Sequence, residues 1–318
     1  MWLICGCAFI CIFQSAINDG GRSLLLAFTS LIFALLAEIL LTWRDYGTAK
    51  IRDGSAAATA LVFSLLLPNQ IHPILAALGV MFAIIVVKYS FGGLGSNWLN
   101  PALGGWLFIR FSWPSAFAKA LENTSVSITK INIFSELSLM DNNVTELLNH
   151  SVFSFLGVQL PSGYIDLFSD INPGIIADRG LFFLLIGTIV ITAAGINRGW
   201  IPLVFLSVYG ILVRFAGDLT GAIGTGDVLY GILSGGTIAS AFIIAAEPAS
   251  SAKLKPGILL TVVLCAVFSW LFRYICHEYF GCFIAIALMN CFTPIIISIE
   301  EKLFLSYKNR DKFLENIL

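Results

Sequence analysis

The sequence predicts an all-α membrane protein with about ten transmembrane helices in two inverted five-helix repeats and one long extracytoplasmic loop. Of its 318 residues, 58% are hydrophobic and only 12% are charged, whereas a soluble domain carries about 25% charged residues. The mean hydropathy is +0.90. A membrane helix needs about 20 residues, so about ten crossings fit within this length and leave room for loops.

Ten apolar runs, each bounded by Gly, Pro, Asn or charged residues, are the predicted crossings. They are too long and too uniformly apolar for an outer-membrane barrel, whose strands alternate apolar and polar residues. The runs lie at residues 2–17, 23–43, 55–68, 71–90, 99–113, 181–196, 200–215, 229–246, 257–276 and 279–298. They define a first membrane half at 1–113, an extracytoplasmic loop at 114–178, a second membrane half at 179–300 and a tail at 301–318.

The basic residues set the predicted orientation in a bacterial inner membrane. Short cytoplasmic loops retain Lys and Arg, and placing both termini in the cytoplasm puts most of the 18 basic residues there. The polar stretch 114–178 is long enough to cross the membrane regardless of its charge, so we expect it outside. The 18 basic and 19 acidic residues nearly cancel, and this balance excludes a nucleic-acid partner.

Two segments of the chain resemble each other. Residues 53–68 and 233–248 both open with small residues and run through an apolar stretch to a proline. Each is followed by one apolar helix and an Asn-x-x-x-Pro sequence, at Asn97 and at Asn290. With five crossings per half, the second copy is inverted, and inverted repeats with interrupted helices indicate a site near the bilayer midplane. The alternative is that these small residues only allow close helix packing.

The stretch Phe91-Gly-Gly-Leu-Gly-Ser-Asn-Trp-Leu-Asn-Pro101 is the most informative part of the sequence. Its glycines permit an irregular backbone, which is tolerated at membrane depth only where it is buried in protein or lines a cavity. We expect it to face the Ser-Gly-Gly-Thr segment of the second half across the repeat axis. The candidate residues for a flavin or pore site are Gly92, Gly93, Gly95, Asn97, Asn100, Ser234, Gly235, Gly236 and Thr237.

These motifs, in this order, resemble the RnfD/NqrB family over about residues 50–300. The resemblance implies a membrane subunit of a redox-driven Na⁺ or H⁺ pump, which works with other membrane and peripheral subunits. In such pumps electrons pass between NADH and ferredoxin or a quinone. The resemblance also implies an FMN attached to a threonine in a Ser-Gly-Ala-Thr motif, and a noncovalent flavin such as riboflavin within the membrane.

The flavin-attachment motif departs from the family pattern. No Ser-Gly-Ala-Thr occurs in the chain, and the corresponding segment reads Asp141-Asn-Asn-Val-Thr145. One interpretation is that Thr145 carries FMN within a degenerate recognition sequence. The other is that Thr145 is a solvated loop residue and that the flavin is lost or held noncovalently.

Several charged residues fall within or beside the predicted helices. An ionisable group inside a span is a functional candidate because its burial is costly unless it is paired. Glu38 and Glu247 are the candidates for an ion path, because an interfacial position explains them least well. Snorkelling to the interface is the interpretation for the others, which are Lys88, Arg110, Asp218, Asp227 and Arg273.

No metal site is predicted, because the seven cysteines and three histidines are scattered along the sequence without a C-x-x-C motif. The chain therefore depends on partner subunits to deliver and remove electrons. The alternative function is a urea-transporter-like channel or solute carrier without a redox cofactor, since such a pore needs only hydrogen-bonding walls.

Overall fold

The computed structural model describes residues 1–46, 52–90, 92–93, 97–122, 146–147, 149–156, 174–216, 227–248 and 250–315. Within these ranges the regular structure is helical, apart from a single β-bridge between Pro68 and Ile175. The apolar runs of the sequence correspond to the helices that follow.

The first half of the chain forms six helices. They are α1 (Trp2–Asn18), α2 (Arg22–Tyr46), α3 (Ser55–Leu65), α4 (Pro73–Phe82, continued as a π-helix at Ala83–Tyr89), α5 (Pro101–Ser112) and α6 (Pro114–Glu122). Short helical segments follow at Asn149–Phe153, Ser154–Leu156 and Ile176–Arg179.

The second half also forms six helices. They are α7 (Leu181–Ala193), α8 (Trp200–Ala216), α9 (Val228–Leu233), α10 (Thr237–Ala239, continued as a π-helix at Ser240–Ile244), α11 (Lys255–Trp270, continued as a π-helix at Leu271–Ile275) and α12 (Gly281–Glu315).

Local sequence signals explain where several helices begin. The Asn100 side chain accepts a hydrogen bond from the backbone N–H of Leu103 at the start of α5, and Asp227 does the same for Tyr230 in α9. Such side chains satisfy N–H groups that have no partner within the helix. Helices α4, α5 and α11 also carry proline in their first turn, where its missing N–H is not needed.

The length and composition of the helices are those of an all-α membrane protein. In the part of the chain that the structure describes, three segments are long and apolar enough to span a bilayer, namely Arg22–Trp43, Lys255–Ile275 and Gly281–Lys302. Shorter apolar helices of 10–17 residues accompany them. Large apolar side chains lie exposed on the outside, such as Leu40 at 77%, and an exposed apolar surface of this kind suits contact with lipid rather than water.

Among the described residues the helices differ from the predicted runs in three places. Helix α6 (Pro114–Glu122) lies in the stretch 114–178 that was predicted as a loop. The run 229–246 is interrupted between α9 and α10, because Gly235 and Gly236 adopt left-handed conformations with φ of 68° and 71°, which side-chain-bearing residues rarely adopt. The last helix continues from Gly281 to Glu315, so it crosses the boundary that the sequence suggested between a membrane half and a tail.

Close packing of α11 against α12 depends on Gly257. A Cβ atom at this position would overlap Oε1 of Glu300, whose carboxylate accepts hydrogen bonds from the backbone N–H groups of Lys253 and Leu254 at 3.2 and 3.3 Å. We therefore expect Gly257→Ala to displace Glu300 and to lower the free energy of unfolding by about 1–3 kcal/mol.

The matched control is Gly6→Ala in α1, where no atom lies within 4 Å of the added Cβ. This change should be neutral or stabilising by up to about 1 kcal/mol. Thermal unfolding of the two purified variants in the same detergent measures the difference. Equal melting temperatures would show that Glu300 does not hold the start of α11.

Candidate functional site

A cavity of about 480 Å³ lies among the helices of both halves. Its volume falls within the range of about 300–1,000 Å³ that is typical of ligand sites. Apolar walls come from α1, α3, α7 and α10, including Ile4, Val62, Ile191 and Ile243. The polar side chains that line it are those of Ser55, Thr59, Lys88, Asn97, Asn100, Asn197 and Glu247.

Asn100 and Glu247 join the two halves of the chain at this cavity. Nδ2 of Asn100 donates to Oε2 of Glu247 at 2.7 Å, and Ser250 donates to the same oxygen at 3.5 Å. Glu247 follows α10 in the turn at residues 245–248, outside the spanning helices. Although its side chain opens onto the cavity, burial raises its pKa to about 7, while the hydrogen bonds from Asn100 and Ser250 act in the opposite direction.

Asn97 holds the irregular backbone that precedes α5. With its side-chain amide oriented so that both the oxygen and the nitrogen have suitable partners, the nitrogen donates to the carbonyl oxygens of Lys88 and Gly93 at 3.3 and 3.0 Å. Gly92 and Gly93 adopt positive φ angles of 105° and 89°, but neither lines the cavity. Of the predicted residues in this segment, Asn97 and Asn100 therefore face the cavity, while Gly95 lies outside the described residues.

Lys88 and Glu38 form a buried ion pair behind the cavity wall. Nζ of Lys88 lies 3.1 and 2.8 Å from the two carboxylate oxygens of Glu38 and 2.8 Å from Oγ of Ser55. The hydroxyl of Tyr89 donates to Oε1 of Glu38 at 2.7 Å. The side chains of Lys88 and Glu38 are 1% and 0% exposed. The prediction that Lys88 snorkels to the interface is therefore wrong, because its charge is compensated inside the helix bundle.

Arg273 lies at the centre of a second buried polar cluster in the other half. Nη1 donates to the hydroxyl of Tyr209 and to the carbonyl oxygen of Gly231, at 3.1 and 2.9 Å. Both nitrogens bond to Ser234, through its carbonyl oxygen at 2.9 Å and its hydroxyl at 2.7 Å. The interfacial interpretation is wrong here too, since the residue is only 7% exposed.

The Ser234–Thr237 segment belongs to this Arg273 cluster and does not line the cavity. Oγ1 of Thr237 accepts a hydrogen bond from Nη1 of Arg273 at 3.2 Å. A Cβ on Gly236 would lie 2.5 Å from the ring of Phe283, and one on Gly235 would lie 2.7 Å from the carbonyl oxygen of Tyr279. This packing fills the space, so the structure does not bring the segment together with Asn97 and Asn100 as we expected.

Asp178 is a buried acid that sequence analysis missed. Both of its carboxylate oxygens accept hydrogen bonds from the backbone N–H of Gly236 at 3.0 Å. It lies in the one-turn segment before α7, outside the spanning helices. Burial raises its pKa to about 7, while the N–H of Gly236 and the charge of Arg273 lower it. In the sequence it was the last residue of the predicted extracytoplasmic loop at 114–178.

The remaining charged candidates have structural roles or lie outside the described residues. Arg110 pairs with Glu278 at 3.2 Å near the end of α5, with both side chains partly exposed. Asp227 caps α9. Thr145 and Asp218 fall among residues that the structure does not describe. Among the described residues, no group of three or more His, Cys, Asp or Glu side chains is placed to hold a metal ion.

Fold and site together define a helical membrane protein with a polar cavity and compensated charges inside its bundle. A sequence profile of the NQR2, RnfD, RnfE family matches residues 1–304. The chain belongs to this family.

Curated relatives cover most of the chain. It is 27% identical over 297 residues to the D subunit of the proton-translocating ferredoxin:NAD⁺ oxidoreductase complex of Clostridium ljungdahlii, covering 93% of this chain and 88% of the relative. It is 29% identical to the Na⁺-translocating counterpart of Acetobacterium woodii, covering 77% and 71%. It is 33% identical to the D subunit of the ion-translocating oxidoreductase complex of Alcanivorax borkumensis, covering 80% and 76%.

Glu247 should make the stability of the protein depend on pH. Its pKa of about 7 in the folded protein lies above the ordinary value of 4.5, so between these values the folded state holds a proton that the unfolded state has lost. Raising the pH from about 4.5 to about 7 therefore weakens the fold. We expect Glu247→Gln to reduce this loss, leaving the similar contribution of Asp178.

Thermal unfolding in detergent at several pH values measures this dependence. The exposed Glu301 provides the control, and Glu301→Gln should leave the profile unchanged. A Glu247→Gln profile with the wild-type slope would contradict the prediction.

Proposed function

We propose that this chain is the D subunit of an Rnf-type complex, in which it holds a flavin within its membrane helices and couples electron transfer to movement of Na⁺ or H⁺. The match of the family profile over residues 1–304 carries the proposal. Relatives named as D subunits of proton- and Na⁺-translocating ferredoxin:NAD⁺ oxidoreductases support it. The chain acts with partner subunits in the bacterial inner membrane, with both termini in the cytoplasm.

The proposed architecture is ten crossings in two inverted five-helix repeats. Helices α1 to α5 correspond to α7, α8, α10, α11 and α12. A left-handed glycine precedes α3 and α10, with φ of 71° at both Gly54 and Gly236. Helices α4 and α11, which follow α3 and α10, each end in a π-helical segment that contains a buried cationic residue. These residues are Lys88 and Arg273. Helix α1 packs on α7 and α5 on α12, which are the pairs that a twofold axis would exchange.

The cavity suits a flavin ring system in size and in chemistry. Its apolar walls match a planar aromatic ring, and its few polar groups match the hydrogen-bonding edge of such a ring. Asn97 and Asn197 would hold that edge, while Asn100 and Glu247 fix the wall where the two halves meet. A bound flavin supplies reversible electron uptake, and the chain's own residues orient it and exclude water.

Glu247 and Glu38 are the proposed ion-binding groups, since each is a carboxylate in the protein interior. Glu247 opens directly onto the cavity, so it lies where a cation would pass along the cavity wall. Glu38 is neutralised by Lys88, so it accepts an external cation only when that pairing loosens.

Thr145 is the proposed site of a covalently attached FMN, with a degenerate recognition sequence around it. Expression with a flavin transferase and separation on a denaturing gel under ultraviolet light tests this role. A fluorescent band that Thr145→Ala abolishes supports covalent attachment. No band, or a band that survives Thr145→Ala, removes it and leaves the noncovalent flavin.

Complementation tests the function as a whole. In a bacterium whose own gene for the D subunit has been deleted, this chain should restore ferredoxin-dependent NAD⁺ reduction and ionophore-sensitive uptake of Na⁺ or H⁺ by inverted membrane vesicles. The purified chain should be yellow, and mass spectrometry should identify its flavin. A colourless protein that fails to complement and conducts a small neutral solute would instead indicate a channel.

A further inference from the structure

We propose that Lys88 is a movable counter-ion that neutralises Glu38 while the cavity is uncharged and turns toward the cavity when negative charge enters it. Glu38, released from Lys88, then takes up one proton or Na⁺. This inference deepens the proposed function, since it rests on a flavin in the cavity, and it identifies the pair that links charge in the cavity to cation uptake.

Lys88 lies between the two places that its charge would serve. Its side chain lines the cavity together with that of Ser55, while its ammonium group bonds to both oxygens of Glu38. The third N–H donates to Oγ of Ser55 at 2.8 Å, so all three donors of the ammonium group are used. A rotation about the long side chain exchanges Glu38 for an acceptor in the cavity without taking Nζ out of the protein interior.

The charges along the cavity wall favour this movement. In its described lining, Lys88 is the basic side chain and Glu247 the acidic one. Negative charge in a site of low dielectric attracts a nearby cation strongly, and Lys88 carries the cationic side chain of the described lining. Glu247 cannot serve this purpose, because its own charge has the wrong sign.

The partners of Glu38 explain why a cation would follow. With Lys88 turned away, the carboxylate is buried, and the hydroxyl of Tyr89 is the one donor that it keeps among the described residues. An uncompensated buried charge is strongly unfavourable. Tyr89 is half-buried and marks the side from which a cation reaches Glu38. One electron entering the cavity and one cation entering at Glu38 leave the net charge unchanged.

Few other titratable groups face Glu38. Helices α3 and α4 pack on α2 and contain no charged or titratable side chain. Helix α1 contributes only cysteines, and the π-helix that ends α4 contributes Lys88 and Tyr89. In the described part of the second half, Arg273 is the corresponding buried cation, but it donates to neutral oxygens within its cluster and does not line the cavity.

A redox titration of the purified full chain tests the proposal. The parent protein carries Thr145→Ala, so that the membrane flavin is the chromophore. Its midpoint potential is measured by visible absorption, first over a series of pH values and then over a series of Na⁺ concentrations. We expect the potential of the parent to follow one of the two cations with a stoichiometry of one cation per electron. The double variant Glu38→Leu with Lys88→Met should lose this dependence and have a lower potential.

The double variant removes both charges of the Lys88–Glu38 pair and so leaves neither unpaired. It should therefore fold and retain flavin, which gel filtration and flavin content verify. Infrared difference spectra, reduced minus oxidised, add a direct readout. If the cation is a proton, a protonated carboxyl band should appear in the parent, disappear in Glu38→Gln and persist in the exposed control Glu301→Gln. A double variant that keeps the potential and the cation dependence of the parent overturns the role of Lys88 while the proposed function stands. A chain that binds no flavin overturns both.

Discussion

Replacing Glu38 alone by leucine should destabilise the protein by about 3–5 kcal/mol, because it leaves Lys88 charged, buried and unpaired. Lys88 is 1% exposed in the structure, so water cannot take the place of the lost carboxylate. Lys88→Met should cost a similar amount for the opposite reason. The double variant Glu38→Leu with Lys88→Met should lie within about 1 kcal/mol of the wild type or above it, since a buried pair replaced by apolar side chains is often neutral or stabilising.

Apparent melting temperatures of the three variants in one detergent provide the comparison. Lys302→Met, at an exposed position, is the control and should change little. If the single variants have the same apparent melting temperature as Lys302→Met, then Lys88 and Glu38 do not form a buried pair in the protein in solution.

Removing Arg273 should have an effect of comparable size on the other half. Arg273→Met removes the donor of five hydrogen bonds, whose acceptors are oxygen atoms of Tyr209, Gly231, Ser234 and Thr237. A hydrogen bond to a charged group contributes about 1.5–3 kcal/mol, and a loss of several should reduce the yield of folded protein severely. Arg273→Lys should recover only part of it, because an ammonium group lacks the planar fork of guanidinium.

Arg214→Met is the control for this prediction, since Arg214 lies exposed in the last turn of α8. The yield of monodisperse protein by gel filtration and the apparent melting temperature are the measurements. An Arg273→Met variant as stable as the control would show that the backbone between α9 and α10 keeps its conformation without this side chain.

The sequence was sufficient to locate the helices, because apolar runs and their Gly, Pro and Asn boundaries are local signals. It also identified the segment that forms the cavity, since Asn97 and Asn100 both line it. The break at Gly235 and Gly236 was hidden inside an apolar run. A hydropathy profile averages over neighbouring residues in the sequence. Two glycines therefore change it little, even where they interrupt a helix.

The charged residues were harder to predict, because their partners are distant in sequence. Glu38 and Lys88 are separated by 50 residues, and Lys88 lies close enough to the end of its run to suggest an interfacial position. Arg273 was misinterpreted for the same reason. Only the packing of α2, α3 and α4 against one another reveals that Lys88 and Glu38 point inward and meet.

The π-helical ends of α4 and α11 constrain how the chain tolerates insertions and deletions. A π-turn contains one more residue than the α-turn it replaces, and Lys88 and Arg273 both lie in such turns. Rewinding the same residues as an ordinary α-helix, without removing one, would rotate Lys88 by about 100° about the helix axis. The ammonium group would then face away from Glu38, so the length of this segment matters as much as its composition.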